Sequence, residues 1–225
     1  ADPPAWGTTG PRKIVLEDHN LPTYDDLREE VADARILRRA VAVHCVTRES
    51  LLLMLAVLEE IGAVPGDRIE HAAVMDADTV ARLAQLGIAV VTQPGFILER
   101  GDRYLRDVPG DDLDDLYRYA SLVEARVTVV PSSDAPYGPL DPWTVMRAAR
   151  DRRSASGARV NVKEWVAAAM VLDGYLRQPM SLDGARRRVA AGAPSDLVLL
   201  QLPLAEVLDD PRAELVRRTW HASHR

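Results

Sequence analysis

The chain has 225 residues, 47% hydrophobic and 28% charged, with a formal net charge of −6, the composition of a globular protein long enough to bury a sizeable core. That acidic balance, without a basic stripe interleaved with aromatics, argues against a nucleic-acid footprint. The single cysteine, Cys45, excludes an internal disulfide framework and fits a reducing compartment. The longest purely apolar run, 51–58, is too short to cross a bilayer. The opening ADPPAWGTTGP lacks the basic-then-apolar order of a signal peptide, so a cytoplasmic enzyme is the expectation.

Apolar runs at 13–17, 41–46, 68–71, 88–92 and 127–131 read as strands, spaced by about thirty residues as in βα units. They are predicted to be apolar on both faces, as parallel strands covered by helices should be. Residues 24–39 are acidic early and basic late, which suits a helix dipole. Thr47 is placed to cap a helix ending at Gly62, and Asp76 to cap 77–86 with Gly87 as its stop. Asp141-Pro142 reads as a cap followed by proline in the first turn. Asn161-x-x-Glu164 resembles a capping box opening a helix to Leu172. The densest basic run, Arg186-Arg187-Arg188, is predicted as the solvated face of a helix. After Ala190-Ala191-Gly192-Ala193-Pro194 two further apolar runs, 196–202 and 215–220, read as strands of a separate small β element. His19, His221 and His224 fall in loop or terminal sequence and are assigned no role.

Three strings carry chemistry. Val43-His44-Cys45 and Ile69-Glu70-His71 put imidazoles late in successive strands, and Ser132-Ser133-Asp134-Ala135-Pro136 puts a carboxylate just after the fifth. In a parallel barrel those positions gather at the C-terminal face, where catalytic groups collect. Neutral imidazoles and a carboxylate can hold a divalent metal with one position left for water. Such a metal lowers the pKa of water to about 7 and polarises a carbonyl. Cys45, inside an apolar run, reads as a small buried residue. No phosphate loop or Ser nucleophile elbow occurs.

The ordered set resembles the C-terminal half of an amidohydrolase-superfamily enzyme, of the branch that includes YtcJ-like proteins and N-substituted formamide deformylase. The resemblance runs through Gly10-Pro11-Arg12-Lys13-Ile14-Val15-Leu16, Val41-Ala42-Val43-His44-Cys45, Arg68-Ile69-Glu70-His71-Ala72, Val91-Thr92-Gln93-Pro94 and Ser133-Asp134-Ala135-Pro136. It closes on Leu140-Asp141-Pro142-Trp143 and on 191–200, similar to a family segment returning to a small β-sandwich. It implies an α/β fold: an incomplete TIM (β/α)8 barrel of about five βα units over 1–190, then part of a β-sandwich over 191–225.

The implied activity is hydrolysis of a non-peptide C–N bond, of amide or formamide type, through a metal-activated water. His44 and His71 match metal ligands. Asp134 matches the metal-binding aspartate that acts as general base. Lys13 matches a strand lysine that, when carbamylated, bridges two metals. Zinc is the first expectation, as one or two ions. Gln93 matches a segment lining the site, and Glu70, Tyr104 and Arg118 are candidates to stand behind the ligands or line a substrate pocket. Read from the residues alone, Lys13 stays open, because a lysine that begins a strand is equally a surface group, and carbamylation needs a neutral, buried amine. The family's His-x-His pair does not occur among the five histidines. Five strands cannot close a barrel. The chain is therefore expected either to pair with a second copy or the missing N-terminal half, or to be a catalytically incomplete homologue with a structural or interaction role. A small-molecule amide is the expected substrate, with no nucleic-acid or membrane partner.

Overall fold

The computed structural model describes residues 9–178, 181–182 and 184–222. In chain order the elements are β1 (Arg12–Val15), α1 (Tyr24–Ile36), β2 (Val41–Cys45), α2 (Arg48–Ile61), β3 (Arg68–His71), α3 (Ala77–Leu86) and β4 (Ala89–Thr92). Next come α4 (Gly95–Asp107), α5 (Gly110–Leu113), α6 (Tyr119–Glu124), β5 (Val129–Pro131), α7 (Pro142–Asp151) and α8 (Ala168–Tyr175). β6 (Leu197–Leu200), α9 (Leu204–Asp209) and β7 (Val216–Trp220) close the order. They fall into two compact units, one of residues 9–92, 115–129 and 181–182, the other of 93–114, 130–178 and 184–222. None of the described helices is long and apolar enough to cross a membrane.

The first unit carries the five-stranded sheet, in the order β1-β2-β3-β4-β5, with β5 entering at Val129. The first four strands are parallel, and their register lines Ile14, Val43, Ile69 and Val90 into one row. All four are buried, as are the facing positions of α1 (Leu27, Val31), α2 (Leu51, Met54, Leu55, Leu58) and α3 (Val80, Leu83). α1 packs on α2, α2 on α3 and α3 on α6. The other face departs from the expectation of apolar residues on both sides. Its rows are Lys13, Ala42, Arg68, Ala89 and Val15, His44, Glu70, Val91, where Lys13 is exposed and Arg68 Nε donates to Glu70 Oε1 at 2.7 Å. Alternation sends one set of side chains to the helices and a polar set the other way.

The predicted caps form because their chemistry is local. Thr47 accepts from the Ser50 amide and Asp76 from that of Thr79, and Gly87 ends α3 in the left-handed region at φ 66°. α1 stops earlier than expected, at Ile36, since Arg38 turns left-handed at φ 53°. Its neighbour Arg39 then reaches back to the carbonyls of Gly10 and Pro11, both at 3.0 Å.

Asp67 joins the base of the sheet. Its carboxylate takes both guanidinium nitrogens of Arg35 at 3.1 and 2.5 Å and the amides of Val41 and Val64 at 2.8 Å each. Its own carbonyl accepts from Ala89 at 3.3 Å.

In the second unit α4 packs on α7, α7 on α8 and α8 on α9. Asp141 caps α7 through the Trp143 and Thr144 amides, with Pro142 in the first turn as predicted. The capping box at Asn161 does not form. Asn161 is left-handed at φ 43° instead of extended as a cap requires, its side chain makes no cap hydrogen bond, and its Nδ2 donates to the Asp114 carbonyl at 2.9 Å. Residues Val162–Glu164 make one 3-10 turn with Glu164 buried, and the helix begins at Ala168. The run Arg186-Arg187-Arg188 is exposed as expected but not helical. The amide of Arg187 is held by the Leu176 carbonyl, and Arg186 pairs with Asp173. The two late strands form the expected small β element: β6 and β7 are antiparallel, with a register shift at Leu199/Leu200. His221 is exposed after β7, and His224 lies outside the described residues.

Two expectations follow for stability. Asp67→Ala leaves Arg35 and two amides without their acceptor and is expected to cost about 3–5 kcal/mol, the range for breaking a buried ion pair; a wild-type denaturant midpoint would contradict this. The Asp76 carboxyl is held below its ordinary value of 3.8, first by hydrogen bonds from Thr79 and also by Arg48. A depressed carboxylate stabilises above its unfolded pKa and loses that effect as pH falls through the folded value. Asp76→Asn should therefore flatten the acid limb of a stability-against-pH curve without changing its slope above pH 5 (an approximate bound set by the unperturbed carboxylate range).

Candidate metal centre

His44 is the penultimate residue of β2 and His71 the last of β3. Register aligns His71 with Cys45, one step on from His44, so alternation alone would send the two imidazoles to opposite faces. The backbone prevents that. His71 has φ 74° and Ala72 φ 47°, and the left-handed turn rotates the His71 side chain out of the strand alternation. The rings meet edge to face with centroids 4.4 Å apart and planes at 74°. Left-handed backbone at a residue other than glycine costs about 1–3 kcal/mol, here at two consecutive positions. The Ala72 amide is shared between the carbonyls of Cys45 and Glu70, at 3.0 and 3.1 Å.

Two imidazole nitrogens on one zinc ion, each about 2.0–2.1 Å from it, stand about 3.3 Å apart. Among the described residues, no group of three or more His, Cys, Asp or Glu side chains is assembled to hold a metal ion. What the structure shows there is two imidazoles in contact at the ends of adjacent parallel strands.

The remaining predicted residues take varied places. Lys13 is exposed on the polar face of β1, one strand over from His44, where it aligns with Ala42. Glu70 is on that same face, paired to Arg68. Arg118 binds the carboxylate of Asp115, with Nε at 3.1 Å, and the hydroxyl of Ser121. In the second unit, Gln93 is buried directly after β4, and Tyr104 is half-buried on α4. Asp134 is half-buried after β5, with φ 50°. The Asp134 and Ala135 amides donate to the hydroxyls of Ser132 and Ser133, and the Asp134 carbonyl accepts from Tyr137 at 2.8 Å. This is the local hydroxyl-to-backbone turn that serine favours.

A family model described as the amidohydrolase family matches residues 7–223. The chain belongs to the amidohydrolase family. It is 24% identical over 217 residues to putative amidohydrolase YtcJ of Bacillus subtilis (strain 168), covering 87% of this chain and 40% of the relative. It is 30% identical over 138 residues to N-substituted formamide deformylase of Arthrobacter pascens, covering 59% of this chain and 25% of that protein. The chain thus spans well under half the length of these relatives. Among solved structures, an uncharacterized metal-dependent hydrolase from Pyrococcus horikoshii OT3 aligns with a TM-score of 0.64 at 23% identity, over 72% of this chain and 38% of the other. Ochratoxinase of Aspergillus niger aligns at 0.53 and 17% identity, over 93% and 49%. These likenesses establish the fold, an incomplete (β/α)8 barrel of five βα units.

Within this amidohydrolase-family chain Cys45 is fully buried, as its apolar run predicts. Burial first, and the charge of Asp18 next, push its thiol pKa up, against a smaller opposing effect of Lys13. Only the thiolate is reactive. Arg118 and the cap Asp76, both singled out from the sequence, join Arg48 and Asp115 in a charged cluster that sequence reading missed. The available signal was an arginine opening α2 and an acid buried in the run Asp111-Asp112-Leu113-Asp114-Asp115.

The loop carrying Asp134 depends on a glycine. A Cβ on Gly138 would stand 2.4 Å from the Ser133 carbonyl oxygen and 2.8 Å from the Phe96 ring. Gly138→Ala is expected to displace residues 133–138 and cost about 1–3 kcal/mol, as overpacking does. Urea denaturation checks this, and an unchanged midpoint would show that the loop has room to give.

Proposed function

We propose that this chain supplies the second half of a metal-dependent hydrolase site acting on a non-peptide C–N bond, of amide or formamide type. The observation that carries the reading is the imidazole pair of His44 and His71 at the ends of adjacent parallel strands. In this reading they hold a divalent ion, zinc first, since imidazole and carboxylate donors suit it. The ion, when bound, lowers the pKa of water and polarises the scissile carbonyl. The Asp134 carboxylate takes the proton of the attacking water and returns it to the leaving amine. Gln93, Tyr104 and Arg118 are taken in this reading as substrate contacts, and Glu70 stands on the polar face of the sheet paired to Arg68. The formamide class is drawn from the name of the Arthrobacter relative.

Lys13 has its proposed role, as a carbamylated bridging ligand to a second ion, only once the exposed face of β1 is covered. Val15, on that face, is 55% exposed, and β1 is the end strand of the sheet. Further strands, from an N-terminal half or a second copy, would cover it and bring the missing histidines. Residues 1–190 then form the barrel part and 191–225 part of a small β-sandwich. A second reading, a catalytically incomplete homologue with a structural or interaction role, is favoured by the exposed face of β1 and by the lack, among the described residues, of a group of three or more His, Cys, Asp or Glu that could hold a metal.

Zinc titration by calorimetry distinguishes them. We expect binding that is lost in both His44→Ala and His71→Ala, and formate release from an N-substituted formamide only when complementary barrel strands are present. Zinc binding unchanged in both variants sinks the metal reading. Zinc binding without hydrolysis in the completed barrel leaves the interaction reading in possession.

A further inference from the structure

We propose that Asp115 is a positioning residue for the imidazole pair, an inference that rests on the metal reading of His44 and His71. The two left-handed residues that turn His71 toward His44 are followed at once by a segment clipped to residues 115–117. Val74 bridges Leu116 in antiparallel fashion, the Tyr117 amide donates to the Ala73 carbonyl at 2.9 Å, and the Met75 amide donates to the Asp115 carbonyl at 3.2 Å. The backbone leaving His71 is thus held by a strand-like partner some forty residues further along the chain.

What fixes that partner is the Asp115 carboxylate, 9% exposed as a residue. One oxygen takes Nη2 of Arg48 at 2.6 Å and the other takes Arg118. Arg48 is the first residue of α2, four positions beyond His44, and its Nη1 also reaches Asp76, the cap of α3, at 3.2 Å. A single residue therefore ties the segment leaving β2, which carries His44, to the segment leaving β3, which carries His71: its carboxylate holds Arg48 and its carbonyl accepts from Met75. Charge-assisted bonds of this kind hold geometry more firmly than neutral ones. Groups that orient metal ligands without touching the metal commonly change metal affinity about 10- to 100-fold when removed.

The test uses Co²⁺ alone as probe, with the chain intact. Its readouts are the cobalt absorbance titration, hydrogen exchange at the Ala72 amide, and exchange at Leu55 in the core of α2 as an internal reference. Asp115→Ala and Arg48→Gln are expected to weaken Co²⁺ binding about 10- to 100-fold and to speed exchange at Ala72 while leaving Leu55 unchanged. Asp114→Asn, a neighbouring acid whose partner is Lys163 on the surface, should change none of the three. A folded Asp115→Ala with wild-type exchange at Ala72 overturns the proposal, as does equal acceleration at Ala72 and Leu55, which marks general loosening. Should Asp115→Ala fail to fold, Arg48→Gln decides by the same readouts. If His71→Ala binds Co²⁺ as well as wild type, the metal reading fails, and the Ala72 exchange alone then decides whether Asp115 holds the turn.

Discussion

The first unit is organised around one buried carboxylate. Asp67 sits ahead of β3 and gathers, in a single side chain, the end of α1 through Arg35, the start of β2 through Val41 and the turn leading to β3 through Val64. A carboxylate so placed must be fully hydrogen-bonded, because burying it without partners costs far more than its bonds return. The Asp67 side chain and carbonyl together join β2, β3 and β4 at their N-terminal ends. Barrel-type βα folds keep stability at that end and chemistry at the other. Two acids mark the two ends here: Asp67 before β3, and Asp115 on the segments that follow β2 and β3.

Most of the strand and helix order was legible in the sequence because its determinants are short-range. A threonine or aspartate that caps the third amide onward, as Thr47 and Asp76 do, needs only its own next few residues. Gly87 ends α3 for an equally local reason. Asn161 shows where this fails: it sits in a left-handed corner, tied by its Nδ2 to the distant Asp114 carbonyl, and a cap needs extended backbone there. The polar row of the sheet was hidden for a different cause. Lysine, arginine and glutamate inside short apolar runs look like strand edges until register places Lys13, Arg68 and Glu70 on one face.

The candidate site divides the same way. That His44 and His71 end successive strands can be read from the run lengths. That their rings touch cannot, since alternation predicts opposite faces and neither histidine nor alanine marks a left-handed turn. The turn is imposed from outside, by residues 115–117, and no window of sequence around His71 contains them. Two donors come together within the first unit, while Asp134 and Gln93 belong to the second.

The clip between Val74 and Leu116 also orders events in time. Each βα unit closes a loop of modest length, and such local closures are entropically inexpensive and fast. Arg48 and Asp115 are 67 positions apart, so their bond waits until β3, α3, β4 and the helices beyond have been threaded between them. The sheet and its helices can therefore condense before the two imidazoles are brought face to edge. The corner itself is well covered, with Ala72, Ala73, Met75, Leu116 and Tyr117 all buried, so once closed it is held by packing as well as by charge.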